Sequence, residues 1–115
     1  MTLKDTATLE CAADAMPAGA ITLGAGTKLW LNTTTLTNTL NLPTGENEVA
    51  TIRIDGNRLS CGDHTIATVG NEATSANVAL DKASTVLDGR KGSFKVESGN
   101  LILTVNSNAT LIFVR

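Results

Sequence analysis

The chain has few aromatic residues and no long hydrophobic run. Aromatics make up 3% of its 115 residues, with one Trp, two Phe and no Tyr. Stacking platforms for bases or sugar rings are therefore scarce. No apolar run reaches the roughly 18 residues that a membrane-spanning helix needs, and the first residues contain no apolar segment of signal-peptide length. We therefore predict no membrane insertion and no signal peptide within this chain.

Neither sign of charge dominates the sequence. Nine Lys and Arg residues are scattered among eleven Asp and Glu residues, and the formal net charge is −2. A surface that binds nucleic acid needs clustered cations. The composition therefore predicts that nucleic acid is not a partner of this protein.

Cysteine occurs only twice, as Cys11 and Cys61. A disulfide between them would close a loop of about 50 residues and stabilise the fold by roughly 4 kcal/mol in the chain-entropy model. Two cysteines do not form a disulfide framework, so two unpaired thiols are the alternative. The sequence leaves both alternatives open.

Histidine occurs once, as His64, and no nucleophile motif accompanies it. Asp63 precedes it directly, but adjacent residues of a strand point to opposite faces, so we do not expect the two to form a general-base pair. Glu46 and Glu48 lie in a turn that lacks a calcium-loop sequence. We therefore predict no catalytic residue, no metal site and no cofactor, and the protein is not expected to be an enzyme.

Short β-branched and aliphatic segments, separated by turn residues, fill the chain. They recur at intervals of roughly 8 to 12 residues, a spacing typical of a β-sandwich or a β-helix, and no helical period exceeds two turns. Frequent Thr and Asn suit pleated strands and tight turns, and Ser98-Gly99 predicts a two-residue hairpin turn. Residues 81–92 read as polar turns. Predicted strands include residues 28–31, 36–42, 49–54, 58–61, 64–69, 77–80, 94–97, 100–105 and 110–114.

Alternating apolar residues predict a buried aliphatic face. The residues predicted to stack in the interior are Ile21, Leu23, Leu29, Leu31, Leu40, Leu42, Ile52 and Ile54, with Leu101, Leu103 and Val105 closing one end.

Trp30 is the one candidate ligand-binding residue, because an indole on an outward face can stack on a sugar ring. The alternative is that Trp30 packs under a loop or against a neighbouring strand.

Several short motifs follow one another in a characteristic order. Residues 6–32 read TATLECAADAMPAGAITLGAGTKLWLN, in which a first strand around Leu9 precedes a corner of small residues and a second strand pair. Residues 62–67 read GDHTIA, and residues 89–105 read GRKGSFKVESGNLILTV. This order resembles the autotransporter-associated β-strand repeat of bacterial surface proteins, followed by the closing hairpin of such proteins. The matches cover about half of the chain.

The resemblance implies an all-β, right-handed parallel β-helix from a bacterial cell-surface or extracellular protein. The chain would be the C-terminal part of such a protein, with flanking repeats of a longer chain as its partners. We expect β-helix rungs over residues 1–75, and C-terminal strands with an antiparallel cap over residues 76–115, continuous with the rungs as one domain. A β-sandwich is the alternative fold.

The predicted function is that of a non-catalytic structural or adhesive module. Two alternatives stay open from the sequence. One is a carbohydrate-binding β-sandwich module that binds a glycan through Trp30. The other is a secreted subunit that associates with itself through edge strands, for which the apolar strand at residues 110–114 is the candidate.

Overall fold

The computed structural model shows an all-β protein. It describes residues 19–106 in full, and residues 2–3 and 8–11 as backbone strands only. The predicted strand at residues 110–114 lies outside these ranges. Helix within them is limited to two single 3-10 turns, Ser75–Asn77 and Thr85–Leu87, and no helix there is long and apolar enough to cross a membrane. The strands are β1 Thr2–Leu3, β2 Thr8–Cys11, β3 Ile21–Leu23, β4 Lys28–Leu31, β5 Thr39–Asn41, β6 Ala50–Ile54, β7 Gly62–Val69, β8 Val78–Leu80, β9 Lys91–Glu97 and β10 Asn100–Asn106.

Successive strands from β1 to β8 alternate between two sheets. The long sheet has six strands in the order β1-β3-β5-β7-β10-β9, and the short sheet has four in the order β2-β4-β6-β8. Every pair among β1 to β8 is parallel. The chain therefore passes from one sheet to the other and returns each time one strand further along.

The register of these parallel pairs aligns aliphatic residues in rows. In the long sheet Ile21 pairs with Leu40, and Leu40 with Val69. In the short sheet Leu29 pairs with Ile52. Paired residues of neighbouring strands point to the same side of a sheet, so each row runs across the strands and through the interior.

The predicted aliphatic core is confirmed. Each of its members is at most 3% exposed, while their neighbours along the same strands are only half-buried. Val86 and Leu87 are also buried, although residues 81–92 read as polar turns, because the second 3-10 turn directs them inward. The confirmed core residues are Ile21, Leu23, Leu29, Leu31, Leu40, Leu42, Ile52, Ile54, Leu101, Leu103 and Val105.

We call one strand of each sheet, with the loops that join them, a passage of the chain. Asparagine side chains connect the loops of successive passages. The Asn38 amide donates to the carbonyl of Gly19 at 2.6 Å. The Asn71 amide donates to the carbonyl of Leu42 at 2.7 Å, and its Oδ1 accepts from the Leu42 amide at 3.4 Å. Each bond satisfies a backbone group in a loop, close to the end of a strand.

Asn77 makes the most extensive of these connections, and it is only 5% exposed. Its Nδ2 donates to the carbonyls of Gly45 and Glu48 at 3.0 and 2.8 Å. Its Oδ1 accepts from the backbone N–H of Thr74 at 3.0 Å. One buried amide therefore fixes the loop before β6 to the 3-10 turn before β8.

The passages differ in length. The bonded pair Thr22 and Asn41, on adjacent strands of the long sheet, lies 19 residues apart. The bonded pair Leu42 and Asn71, one passage later, lies 29 residues apart. The parallel register persists across both intervals, so the additional residues lie in the loops.

The predicted hairpin at Ser98-Gly99 is confirmed. Strands β9 and β10 pair antiparallel on either side of it. Both turn residues have positive φ, 52° at Ser98 and 77° at Gly99, as a two-residue turn of the primed type requires. Since β10 also pairs antiparallel with β7, the hairpin extends the long sheet two strands beyond β7.

The predicted strand at residues 58–61 is wrong. Its backbone groups are used elsewhere: the Leu59 N–H donates to the carbonyl of Val86 at 3.0 Å, and the Leu59 carbonyl accepts from Arg90. The strand predicted at 36–42 is shorter, and only Thr39–Asn41 belongs to the ladder. Strand β8 lies within residues 76–115, where the C-terminal strands and the antiparallel cap are predicted. It nevertheless pairs in parallel with β6 of the short sheet.

Candidate functional site

The outer face of the short sheet carries the only tryptophan. Lys28 and Trp30 point outward from β4, whereas Leu29 and Leu31, which alternate with them along the strand, are buried. The register of the sheet places Arg53 of β6 beside Trp30. The guanidinium carbon of Arg53 lies 4.1 Å from the centroid of the indole ring, which is within the range of a cation–π interaction.

Asp55, which follows β6, completes what we call the indole cluster of Trp30, Arg53 and Asp55. Its Oδ2 accepts from Trp30 Nε1 at 2.7 Å, and its Oδ1 accepts from Arg53 Nε at 3.1 Å. Oδ1 also accepts from the backbone N–H of Thr85 at 3.0 Å. Partial burial is the largest single influence and raises the pKa of Asp55. The hydrogen bonds from Arg53, Thr85 and Trp30 together outweigh it, so the pKa lies below its ordinary value.

A second ion pair lies on the same face of the sheet. Lys28 Nζ is 2.7 Å from Asp81 Oδ2. The hydrogen bond from Lys28, followed by one from the backbone N–H of Ala83, lowers the pKa of the Asp81 carboxyl. The outer face of the short sheet therefore carries charged side chains that form ion pairs with one another.

These contacts bear on the predicted role of Trp30. Sugar stacking requires an open face of the ring, and Arg53 covers one face of this indole. The N–H edge of the ring is also used, by Asp55. The structure thus places Trp30 in packed contact with the neighbouring strand, and glycan binding by Trp30 stays a prediction.

A polar groove of about 390 Å³ begins at the indole cluster and shares Asp55 with it. Asn32 and Thr34, which follow Trp30 closely in the sequence, line this groove, and Trp30 does not. The groove offers amide, hydroxyl, carboxylate and guanidinium groups, which can bond to hydroxyl-rich molecules. Its lining residues are Asn32, Thr33, Thr34, Asp55, Gly56, Asn57, Arg58 and Leu59.

Cys61 is exposed and lies directly before β7. The side chain of Cys11 lies outside the described residues, so the disulfide between them stays a prediction. Cys61 Sγ lies 3.5 Å from Nη1 of Arg90.

Arg90 was not singled out from the sequence, yet it is only 8% exposed. It donates to the carbonyls of Leu87 at 2.8 Å and Val86 at 3.2 Å, and to that of Leu59. One guanidinium therefore fastens the second 3-10 turn to the segment before β7. No local pattern indicates this role, because an arginine that follows Gly89 reads as part of an exposed turn.

Asp63 and His64 have separate partners, as expected from their opposite directions along β7. Asp63 accepts from Thr104 at 2.8 Å and from Lys95 at 3.0 Å, and these two bonds lower the pKa of its carboxyl. The His64 ring Nε2 lies 2.7 Å from the carbonyl of Ser60. The two side chains therefore do not form a hydrogen-bonded pair with each other.

In the acidic turn before β6, one carboxylate accepts a hydrogen bond from the backbone of the turn itself. Glu48 Oε1 accepts from the N–H of Gly45 at 2.9 Å. Among the residues that the structure describes, no group of three or more His, Cys, Asp or Glu side chains has the spacing to hold a metal ion.

The fold and these contacts define an all-β protein that combines a continuous aliphatic interior with a charged outer cluster. No protein family, no curated protein and no solved structure matches the chain.

Proposed function

We propose that this protein is a non-catalytic structural or adhesive module of a bacterial extracellular surface protein, built as a right-handed parallel β-helix with an antiparallel C-terminal cap. The observation that carries the proposal is the alternation of β1 to β8 between two sheets in parallel register. A stacked coil of this kind buries each passage against the next. The aliphatic rows and the asparagine bonds between loops are consistent with such stacking.

Flanking repeats of a longer chain are the proposed partners. Strands β1 and β2 stand at one end of the two sheets, and within the described residues each pairs with one strand only. An unpaired ladder edge readily accepts another strand. Additional rungs of the same kind would continue both sheets from this end.

The stacked arrangement is testable by engineered disulfides. Thr22 and Asn41 are paired across β3 and β5, and paired positions on adjacent strands are about 5 Å apart. In a Cys11→Ser, Cys61→Ser background, Thr22→Cys with Asn41→Cys should oxidise readily. The matched control is Thr22→Cys with Thr65→Cys, two positions without pairing in the sheet. Equal rates of oxidation would contradict the stacked coil.

The surface role is testable by display of the chain on a bacterium through a signal peptide and an outer-membrane translocator. The displayed chain should resist protease and increase adhesion of the cells to host-cell or abiotic surfaces. Variants with a broken core, such as Ile52→Asp, should be degraded and lose adhesion. Polysaccharide cleavage by the purified wild-type chain would contradict a non-catalytic role.

A carbohydrate-binding module is the second candidate, and the polar groove beside the indole cluster is the observation that favours it. A glycan array would reveal specific binding. If the groove is the site, Asn32→Ala with Thr34→Ala should abolish binding, and Trp30→Ala should weaken it. Thr51→Ala, on the outer face of the same sheet, is the matched control. An array without specific binding excludes this candidate.

A further inference from the structure

The two sheets end unevenly on the side of the hairpin. The short sheet ends at β8, whereas the long sheet continues with β10 and β9. A groove of about 460 Å³ lies beside β8 and the start of β9. Its lining residues are Leu80, Lys82, Leu87, Gly89, Arg90, Lys91 and Gly92.

The floor of this end groove is apolar. It is formed by Leu80 of β8, Leu87 of the second 3-10 turn and the backbone at Gly92. A Cβ atom at Gly92 would lie 2.6 Å from Leu87 Cδ2 and 3.0 Å from Leu80 Cδ2. The two leucines therefore press directly onto the backbone of β9, and glycine is the residue that permits this contact.

The chain leaves β10 at the rim of the end groove. Val105 pairs with Gly92 and Asn106 pairs with Lys91, and both Gly92 and Lys91 line the groove. The following residues, 107–115, lie outside the described part of the chain and read SNATLIFVR. Four consecutive apolar residues, 111–114, thus follow Asn106 after a short polar stretch. Four residues span up to about 13 Å, enough to reach a groove that starts one strand spacing away.

We propose that the end groove binds the apolar segment 111–114 of the same chain. The segment supplies apolar side chains, and the groove supplies an apolar floor beside the edge strand of the short sheet, a common arrangement for peptide capture. A linker this short gives the segment a millimolar effective concentration at the groove. Binding within one chain is therefore favoured over binding between chains at ordinary protein concentrations.

A cross-linking experiment on the full chain tests the proposal. In a Cys11→Ser, Cys61→Ser background, Lys82→Cys at the rim is combined with Phe113→Cys. The matched control replaces Lys82→Cys by Thr65→Cys, an exposed position on β7. Under mild oxidation the first pair should form an intramolecular disulfide about tenfold faster than the control, because of its higher effective concentration. Equal rates, or a disulfide found only in dimers, would overturn the proposal; the latter outcome would indicate exchange of the segment between copies.

A second variant provides an independent readout. Phe113→Lys places a cation among the apolar residues of the segment, next to a rim that already carries Lys82 and Lys91. Amide hydrogen exchange in β8 and at the start of β9 should accelerate at least about tenfold relative to the Ser107→Lys control. Unchanged exchange in both variants would overturn the proposal.

Discussion

Trp30 and Asp55 are joined by a 2.7 Å hydrogen bond, although 25 residues separate them in the sequence. The bond runs from the middle of β4 to the residue that follows β6. Arg53 contacts both partners, through the face of the indole and through Oδ1 of the carboxylate. The three side chains therefore link two neighbouring strands of the short sheet from outside the core.

This link should depend on pH through Asp55. Since the folded state lowers the pKa of its carboxyl below the ordinary 3.8, its stabilisation is complete above about pH 5 and is lost as the pH falls through the folded pKa. Asp55→Asn should lower the free energy of unfolding by about 1 kcal/mol at pH 7, and by progressively less toward pH 3. Urea unfolding followed by Trp30 fluorescence measures both values.

The control for this prediction is Asp88→Asn, which removes a more exposed carboxylate whose partner is Arg58. It should change the free energy of unfolding by less than about 0.5 kcal/mol at either pH. A difference between wild type and Asp55→Asn that stays constant from pH 7 to pH 3 would contradict the role of the ionised carboxylate.

Asn77 should be among the most sensitive polar positions. Asn77→Ala removes two amide donors from the carbonyls of Gly45 and Glu48 and leaves buried groups without partners. We expect a loss of about 2–3 kcal/mol in the free energy of unfolding. Asn57→Ala, at an exposed position after Gly56, should cost less than about 0.5 kcal/mol. Chemical denaturation of the two variants in parallel makes the comparison, and similar losses would refute it.

Arg90 should matter for stability although it has no acidic partner among its described contacts. Arg90→Met keeps the length of the side chain but leaves the carbonyls of Leu59, Val86 and Leu87 without this donor. We expect a cost of at least about 2 kcal/mol. Arg58→Met, which removes an exposed ion pair, should cost about 0.5 kcal/mol or less. The melting temperatures of the two variants provide the test, and the reverse order would show that the carbonyl contacts contribute little.

The hairpin turn offers a stabilising substitution. Ser98 adopts a φ of 52°, in the left-handed region that asparagine enters more readily than serine. Ser98→Asn should therefore raise the free energy of unfolding by up to about 1 kcal/mol. Ser98→Val should lower it, because a β-branched side chain is strained there. Equal melting temperatures for the two variants would contradict this account of the turn.

The sequence predicts those parts of the fold that depend on local pattern. Ile52 and Ile54 alternate with outward residues, so their burial follows from the period of a strand. Ser98-Gly99 predicts its hairpin from turn chemistry alone. The strand predicted at residues 58–61 failed because Leu59 bonds to Val86 and Arg90, which are remote in sequence.

The candidate site was less predictable than the core. Trp30 was identified because it is the single tryptophan, but its partners Arg53 and Asp55 depend on the register between β4 and β6. That register depends on the lengths of the loops between the strands. The alternation of apolar residues along each strand does not indicate it. Arg90 was missed for the same reason, since two of the groups it contacts, Leu59 and Cys61, precede it by about 30 residues.

The unequal lengths of the passages have a practical consequence for engineering. The interval between bonded neighbours grows from 19 to 29 residues, while strand pairing is retained on both sides. The entropic cost of closing a loop rises only slowly with its length. The loops between strands should therefore tolerate the insertion of foreign peptides. A recognition sequence inserted after Asn57, which is exposed in the loop between β6 and β7, would lie on the outside of the scaffold, and the flanking strands would not need to be redesigned.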